Sequence, residues 1–433
     1  MLLVYTPHIT SRLKFIFKQV CTRILGIEVG FTSKVEELVA HDSLKMSYTK
    51  QQLGNEFFIK SHSILFEQGI SDLDINIQDW EDTKCFFYNG TKSSIPFDIF
   101  AASFFMLSRY EEYLPHLKDE FGRFPKEDSL GFKHKFLHQP VVDIWAYKFR
   151  DSLKAKFPNY KFPKRKYDID VVIDVPTAYY FKHKGMLRTI GGTLSDIGTF
   201  RFRQLYQRYL VLLGLKKDPY DTFNWIINKQ KQLKKRFNSF FLIGDFSTYD
   251  KNVSINKKRF VSLIKVVGDY CKVGLKASYF AVENSKILKK EKNNLEHIIN
   301  TTLTTSRNSF SKLNLPYTYR NLIDLEIFKD YTMGYTNAIG FRAGTCSPFL
   351  FYDLDYEIQT PLEIHSFHLL DFALLDFQSQ LDKKERLQRL IHEVKKVDGT
   401  LTTIFHNYSF SNEERWKGFK ELFTMVLNST DED

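Results

Sequence analysis

The spacing of apolar and polar residues changes partway along the chain. In the first part, short strand-like runs surround a helix predicted over 96–114. The apolar portion of this helix precedes a polar end, and Pro115 terminates it. The segment 157–166 contains prolines and several basic residues, which is typical of a linker. The pattern predicts an amino-terminal α/β domain of unassigned role over 1–160 and a second domain over 161–433.

Beyond the linker, short β-branched or aromatic runs alternate with amphipathic stretches of helical period. Strands are predicted at 169–175, 240–244, 272–275, 302–306, 338–341, 361–367 and 401–406. Helices are predicted near 220–236, 258–271, 285–299, 317–325, 382–397 and 413–427. Asp218 as N-cap and Pro219 at the first helical position mark the start of the first of these helices. This alternation predicts an α/β fold, a distorted parallel (β/α) barrel of about seven strands, in which chemistry lies at the carboxyl ends of the strands.

Composition excludes several classes of protein. The 433 residues are 43% hydrophobic and 26% charged, which is typical of a globular protein and not of a disordered, collagen-like or multi-span membrane chain. The opening run 1–5 has no basic residue before it and no cleavage-type residues after it, so we expect no secretory signal and a cytoplasmic location. Four cysteines lack the spacing of a disulfide framework or a zinc site and are expected to be reduced core residues: Cys21, Cys85, Cys271 and Cys346.

The net charge of +11 would suit an anionic partner such as nucleic acid or a membrane face. The basic residues fall mostly on the polar faces of predicted helices, which favours a solvated surface over a nucleic-acid site. The segment 179–209 interleaves aromatic residues with arginines and could stack on sugar rings or on bases. We expect its aromatic residues to pack against the barrel instead.

Three ionisable residues fall at separate predicted strand ends. Asp174 ends the first strand, Arg342 follows the fifth, and His406 ends the last. Because the carboxyl ends of parallel strands meet at one edge, we expect the three side chains to lie within about 10 Å of one another. Such a set suits acid/base chemistry, although salt-bridged Asp and Arg residues and buried histidines are also common at strand ends.

Ten short stretches of the chain are informative when they are taken together and in order: 97–102, 107–115, 121–124, 139–143, 180–192, 218–225, 306–307, 330–335, 340–345 and 405–407. Their residues and order resemble NodB-type polysaccharide deacetylases, in the two-domain, Bacteroidetes-like branch. The resemblance covers most of the chain. It implies a barrel that acts on an acetylated sugar, in which a bound divalent metal polarises the carbonyl group.

The resemblance also implies roles for individual residues. Asp174 matches the general base, His406 matches the acid that protonates the leaving amine, and Arg342 matches the residue that positions the base. Asp371 resembles the residue that orients the acid. Three further residues are expected to contact the substrate: Lys276, Tyr279 and Asn407.

The implied metal ligands, a second Asp and two His, are missing at the matching positions. Those positions hold Pro176, Lys276 and Ser309, which are poor ligands for a divalent ion. We therefore predict no metal cofactor, and zinc would bind only if these positions were misaligned. Lys276 is expected to lie beside Asp174 as a built-in counter-charge. The alternatives are that Lys276 acts as an electrophile in place of the metal, or that it extends into solvent.

The sequence thus predicts a polysaccharide deacetylase-like protein that binds or acts on an acetylated glycan, with metal-dependent hydrolysis lost or altered. The alternative is an active carbohydrate deacetylase that uses Asp174 as base and His406 as acid. The expected partner is a glycan or an acetylated sugar, nucleic acid is not expected, and no membrane span is predicted. The sequence does not determine the oligomeric state.

Overall fold

The computed structural model describes residues 1–233 and 235–430. The amino-terminal part contains the strands β1 (Leu2–Tyr5), β2 (Val29–Thr32), β3 (Lys45–Thr49), β4 (Phe57–Lys60), β5 (Gln78–Trp80) and β6 (Thr83–Cys85). Its helices are α1 (Ser11–Phe17), α2 (Val35–Ala40), α3 (Ile99–Leu107), α4 (Tyr110–Tyr113), α5 (Leu130–Lys133) and α6 (Val141–Lys156). The first four strands form a parallel sheet in the order β2, β1, β3, β4, and β5 pairs with β6 in an antiparallel hairpin.

The helix predicted over 96–114 is interrupted in the structure. Asp98 caps α3, because its carboxylate accepts hydrogen bonds from the backbone N–H groups of Phe100 and Ala101. Arg109 then adopts a left-handed conformation with φ of 54°, which separates α3 from α4. The polar end of the predicted helix is therefore a bend, and both Arg109 and Glu112 are buried there.

The remaining part of the chain contains the larger sheet. Its strands are β7 (Asp168–Val175), β8 (Asn238–Leu242), β9 (Lys272–Ala277), β10 (Thr305–Asn308), β11 (Lys329–Asp330), β12 (Phe349–Asp353), β13 (Ile358–Ile364), β14 (Leu369–Leu370) and β15 (Thr400–His406). Its helices are α7 (Met186–Gly198), α8 (Phe202–Leu212), α9 (Phe223–Leu233), α10 (Lys258–Tyr270), α11 (Ser285–Ile299), α12 (Tyr317–Asp324), α13 (Gln380–Lys395) and α14 (Phe419–Asn428).

These strands form one hydrogen-bonded sheet in the order β12, β13, β11, β10, β9, β8, β7, β15, β14. All neighbouring pairs are parallel except β12 with β13, which is antiparallel. Six buried side chains form a small apolar cluster that joins the middle of the sheet to its β14 edge: Val172, Phe240, Tyr331, Phe367, Leu370 and Ile404. The mixed α/β class is confirmed, and closure of the sheet into a barrel stays a prediction.

The strand predicted at 338–341 is wrong. Gly340 has a φ of 146°, which strands do not contain, and its N–H donates to the carbonyl oxygen of His368. The N–H of Phe341 donates to the carbonyl oxygen of Leu137 at 2.8 Å. The N–H of Phe341 thus attaches this segment to the amino-terminal part of the chain, and the N–H of Gly340 attaches it to the residue before β14.

Two other expectations change around residue 218. Asp218 does not cap a helix that starts at Pro219, because α9 begins at Phe223. Residue 234, near the end of the predicted helix, lies outside the described residues. The carboxylate of Asp218 instead accepts hydrogen bonds from the backbone N–H groups of the segment 180–182 and of Tyr220.

All four cysteines are buried and free, as expected. No helix in the described ranges combines the length and the apolar character needed to cross a membrane.

Candidate functional site

Strand register brings the ionisable residues of four strands to one face of the sheet. His406 on β15 is the direct partner of Asp174 on β7, and Lys276 on β9 is the direct partner of Arg307 on β10. On β8 between them, Phe240 pairs with Asp174, and Leu242 pairs with Lys276. Since side chains alternate between faces along a strand, these pairings place all four ionisable groups on the same face.

Asp174 is fully buried and is held by two cations. Its Oδ2 atom accepts a hydrogen bond from Nζ of Lys276 at 2.7 Å and from Nε of Arg307 at 3.0 Å. Its Oδ1 atom is buried and has no hydrogen-bond partner. The position of Lys276 beside Asp174 confirms the predicted counter-charge and excludes the solvent-facing alternative.

Burial and charge act in opposite directions on this group. Burial by itself raises the pKa of Asp174, but attraction to Lys276, Arg307 and His406 outweighs burial and holds that pKa well below its ordinary value. Burial and the nearby Arg307 charge lower the pKa of Lys276, and the opposing attraction to Asp174 does not fully offset them. Asp174 is therefore ionised at neutral pH, as the charged partner of two buried cations.

His406 is oriented by Asp371, as the sequence predicts. Nδ1 of His406 lies 2.8 Å from Oδ1 of Asp371, and the backbone N–H of His406 donates to the same carboxylate. The hydroxyl of Ser409 also donates to Asp371. With Nδ1 as the donor, the other ring nitrogen faces Asp174, with Nε2 3.5 Å from Oδ2. The imidazole ring stacks on Tyr408 at a centroid distance of 4.8 Å, which fixes its plane.

The predicted pairing of Arg342 with Asp174 is wrong. Arg342 forms a two-pronged ion pair with Glu112, in which Nε and Nη2 lie 2.9 and 2.7 Å from the carboxylate oxygens. Glu112 also accepts from Nε of Arg109, and Arg109 donates to the carbonyl oxygen of Arg342. Burial raises the pKa of Glu112, but the two guanidinium groups outweigh burial and lower it to about 2. Because the 340–345 segment is a loop and not a strand, its arginine faces the amino-terminal part of the chain.

Arg307 and Glu112 are the site residues that sequence reasoning missed. Arg307 lies in one of the stretches that carry the resemblance, but only the pairing of β9 with β10 shows that it shares a face with Lys276. Glu112 lies in another such stretch, and its partner Arg342 is 230 residues away along the chain. No local pattern reports a contact of that separation.

The residues around Asp174 do not fit the divalent metal that the resemblance implies. Oδ2 of Asp174 is already occupied by Lys276 and Arg307, and these two cations would repel a metal ion. Pro176 has no donor atom in its side chain, and the hydroxyl of Ser309 donates to Asp250 at 3.1 Å. Within the described ranges, no group of three His, Cys, Asp or Glu side chains is arranged to hold a metal.

An aromatic cluster follows the carboxyl ends of β9 and β10. It consists of Tyr249, Tyr279, Phe280 and Phe310, in which Tyr249 stacks on Tyr279 at a centroid distance of 3.9 Å. Tyr249 and Phe280 are 40% and 50% exposed. Asp250 connects the cluster to the end of β10, because its carboxylate accepts hydrogen bonds from the backbone N–H of Tyr279 and from the hydroxyl of Ser309. The predicted substrate residue Tyr279 thus lies at a partly exposed surface next to the buried ion pairs.

Asn407, the remaining predicted substrate residue, is fully buried. Its Nδ2 donates to the carbonyl oxygens of Thr177 and Tyr220 at 3.2 and 3.0 Å, while its Oδ1 has no partner. These bonds connect the end of β15 to the segments that follow β7 and precede α9. Contact of Asn407 with a substrate stays a prediction.

Comparison with known proteins gives a family match for the amino-terminal part. Residues 2–158, which include Glu112, match a family described as a family of unknown function (DUF7033). No curated protein matches the chain.

Three solved structures resemble the chain at low similarity. A protein from Mycobacterium smegmatis assigned as a polysaccharide deacetylase has a TM-score of 0.39 at 12% identity, over 62% of this chain and 86% of that one. A CE4 family pseudoenzyme from Bacillus anthracis has a TM-score of 0.31 at 10% identity, over 60% of each chain. A polysaccharide deacetylase from Bacillus cereus has a TM-score of 0.29 at 12% identity, over 49% of this chain and 82% of that one. At such scores the function has to follow from the residues of the site.

Proposed function

We propose that this protein binds an acetylated glycan at the site formed by Asp174, Lys276, Arg307 and His406, and that it does not deacetylate the glycan by a metal-dependent route. The observation that carries the proposal is the pairing of Lys276 with Asp174 at 2.7 Å. A lysine of this chain supplies the positive charge that a metal ion would otherwise bring to Asp174.

The same pairing argues against efficient hydrolysis. Attack of water on an amide carbonyl builds negative charge on its oxygen, and a bound metal stabilises that charge by several kcal/mol, where about 1.4 kcal/mol corresponds to a factor of ten in rate. Lys276 and Arg307 are both engaged with Asp174. Asp174 in turn is a weak base, since these charges hold its pKa well below the ordinary value.

Two features of the site suit the recognition of a sugar. The aromatic cluster offers partly exposed rings, of the kind that line small-molecule sites and pack against the apolar faces of a ligand. The unpartnered Oδ1 of Asp174 is an acceptor, and leaving a buried acceptor unsatisfied costs about 1–3 kcal/mol. A hydroxyl or amide N–H group of the ligand would remove that cost. His406 is the least buried of the four site residues, at 6% exposure.

Calorimetric titration with a tetramer of N-acetylglucosamine tests the binding. We expect saturable binding by the parent chain and a loss of about tenfold or more in Tyr279→Ala, because one buried aromatic contact contributes about 1.5 kcal/mol or more. Tyr317→Ala, at a 62% exposed position on α12, is the matched control and should bind like the parent. Absence of binding to acetylated oligosaccharides of any linkage would refute the glycan site.

Release of acetate, measured on the same oligosaccharide with added zinc or cobalt, tests the catalytic part. We expect no release above the uncatalysed background. Release that depends on the added metal and disappears in Asp174→Asn would show an ordinary metal-dependent deacetylase.

A second candidate function rests on the pairing of His406 with Asp371. An imidazole held at 2.8 Å by one carboxylate and lying 3.5 Å from another has the geometry of an acid/base pair. In this case Asp174 would take a proton from water and His406 would protonate the departing amine, with no metal. Acetate release that persists in excess chelator and is lost in His406→Asn would favour this candidate over simple binding.

A further inference from the structure

Helices α7 and α8 present apolar faces to the outside of the molecule. On α7 the exposed residues follow helical spacing, with Leu187, Ile190, Leu194 and Ile197 at 87%, 50%, 63% and 46% exposure. The same holds from the start of α8 to the residue just past its end, where Phe202, Tyr206, Tyr209 and Leu213 are 59%, 67%, 46% and 72% exposed. The aromatic residues of α8 therefore do not pack against the sheet, contrary to the expectation for the segment 179–209, whereas Tyr179 and Phe181 at the start of that segment are buried.

The inner side of this helical hairpin contains a buried ion pair, next to the buried Val211 of α8. Asp196 on α7 and Arg208 on α8 are buried, and Nη2 of Arg208 lies 2.6 Å from Oδ2 of Asp196. Gly192 permits this approach, because a Cβ atom there would lie 2.6 Å from the Arg208 guanidinium. An ion pair inside and apolar stripes outside reverse the usual arrangement of a helix pair in water.

The residues around the apolar stripes are strongly basic. The segment 182–217 contains one acidic residue, Asp196, which is paired inside the hairpin. It contains eight basic residues: Lys182, Lys184, Arg188, Arg201, Arg203, Arg208, Lys216 and Lys217. Arg201 is exposed just before α8 and Arg203 is exposed in its first turn, and Lys216 and Lys217 are exposed after α8. Positive charge therefore flanks the apolar faces at both ends of α8.

We propose that the α7–α8 hairpin lies on the surface of an anionic lipid membrane, with its apolar faces inserted among the lipids and its exposed basic residues on the headgroup phosphates. Amphipathic helices with apolar and aromatic residues on one side and Lys or Arg beside them bind membrane interfaces in this way. A second copy of this chain fits the surface poorly, because two such hairpins face to face would bring together two segments that each carry an excess of seven positive charges.

The hairpin is attached to the neighbourhood of the candidate site. Nη1 of Arg188 donates to the carbonyl oxygen of Asn252 at 3.0 Å, two residues beyond Asp250, which binds Ser309. The Arg188 guanidinium also lies 4.6 Å from the ring centroid of Phe246, which is 58% exposed. Membrane attachment through the hairpin would hold the aromatic cluster near the lipid surface. This inference does not depend on the glycan proposal.

Co-sedimentation of the full chain with vesicles tests the proposal. We expect binding to phosphatidylcholine vesicles that contain about 30% phosphatidylglycerol, weaker binding to phosphatidylcholine alone, and loss of binding at high salt. The double variant Leu194→Glu/Tyr206→Glu should lose at least about tenfold in vesicle affinity. The control is Leu381→Glu, at a 66% exposed position on α13, and it should bind like the parent.

A tryptophan variant provides an independent fluorescence measurement of vesicle binding. Phe202→Trp places an indole on the apolar face, and its emission should shift to the blue when anionic vesicles are added. Equal binding of the double variant and the parent, or no binding of the parent to any vesicle, would overturn the proposal. So would a concentration-dependent dimer that the double variant abolishes while vesicle binding is absent, since the faces would then bind another protein chain.

Discussion

At the scale of single residues, the charge on Asp174 depends on two cations that approach the same oxygen. Lys276 donates from β9 and Arg307 from β10, and the neighbouring Oδ1 has no partner. Removing one cation leaves a buried carboxylate with a single charged neighbour. Such groups are sensitive to substitution, because the desolvation cost remains when the partner is lost.

We therefore expect Lys276→Met to lower the free energy of unfolding by about 3 kcal/mol, because it leaves part of the Asp174 charge uncompensated in a buried place. Lys272→Met, at the exposed start of the same strand, is the matched control and should change stability little. Urea unfolding at neutral pH measures both. Equal stability of the two variants would contradict the account of the pair.

Double-mutant cycles distinguish the two arginines. Arg342→Met combined with Glu112→Gln should show a coupling of about 2 kcal/mol, whereas Arg342→Met combined with Asp174→Asn should be additive within about 0.5 kcal/mol. Arg307→Met should show the opposite pattern, because Arg307 contacts Asp174. Coupling of Arg342 to Asp174 would restore the pairing expected from the sequence.

Sequence reasoning located the residues that belong to regular strands. Asp174 and His406 lie at or near the ends of strands whose apolar patterns are clear, and their proximity followed from that placement. The position of Lys276 beside Asp174 was instead implied by the family resemblance. It failed for Arg342, because a segment with strand-like composition forms a loop around Gly340. Which arginine reaches Asp174 is decided by the pairing of whole strands, and single-strand patterns do not contain that information.

At the scale of elements, α11 packs against the end of β9 through a buried carboxyl group. Glu291 on α11 accepts the backbone N–H of Ser278 at 3.0 Å, together with the hydroxyl of the same residue. Burial raises the pKa of Glu291 to about 7. The folded protein therefore keeps a proton on this group at pH values where the unfolded chain has lost it.

This difference predicts a pH dependence of stability. Because the folded pKa of Glu291 is raised, stability due to this group falls as pH rises from its ordinary pKa toward 7. From about pH 5 to about pH 8, the free energy of unfolding of the parent should fall by about 2 kcal/mol more than that of Glu291→Gln, which stays neutral. Denaturant titrations at each pH measure the difference. Glu36→Gln, at an exposed position on α2, should parallel the parent.

Helices and strands were predicted with unequal success, for a physical reason. The long helices α10, α11 and α13 bury one side and expose the other, so their period is visible in the sequence. Strands β11 and β14 have two residues each, which is too short for any alternation to be read. The break between α3 and α4 depends on the left-handed Arg109 and its ion pairs, which no helical period reports.

At the scale of the whole molecule, buried ion pairs join the amino-terminal part to the larger sheet. Glu112 pairs with Arg342, and the buried Arg12 on α1 pairs with Glu357 next to β13. Gln19 also donates to the carbonyl oxygen of Pro348. A domain boundary near residue 160 stays a prediction, and these contacts imply that the two parts depend on each other for stability.

We accordingly expect a chain restricted to 161–433 to be much less stable than the full chain, because Arg342 and Glu357 lose their buried partners. Thermal unfolding followed by near-ultraviolet circular dichroism measures this. The control is the same fragment with Arg342→Met, which should recover part of the loss by removing an uncompensated charge. Identical melting of the fragment and the full chain would show that the parts are independent.

Because Lys276 provides the positive charge beside Asp174, the charge state of the site does not depend on an ion bound from solution. A dissociable ion is lost on dilution or captured by a stronger competitor, whereas the Lys276 ammonium is attached by its own backbone at a fixed one-to-one ratio. Starvation for trace elements would therefore leave the site unchanged. The melting temperature of the full chain should be the same in excess chelator and in added zinc, and a chelator-induced drop would contradict this.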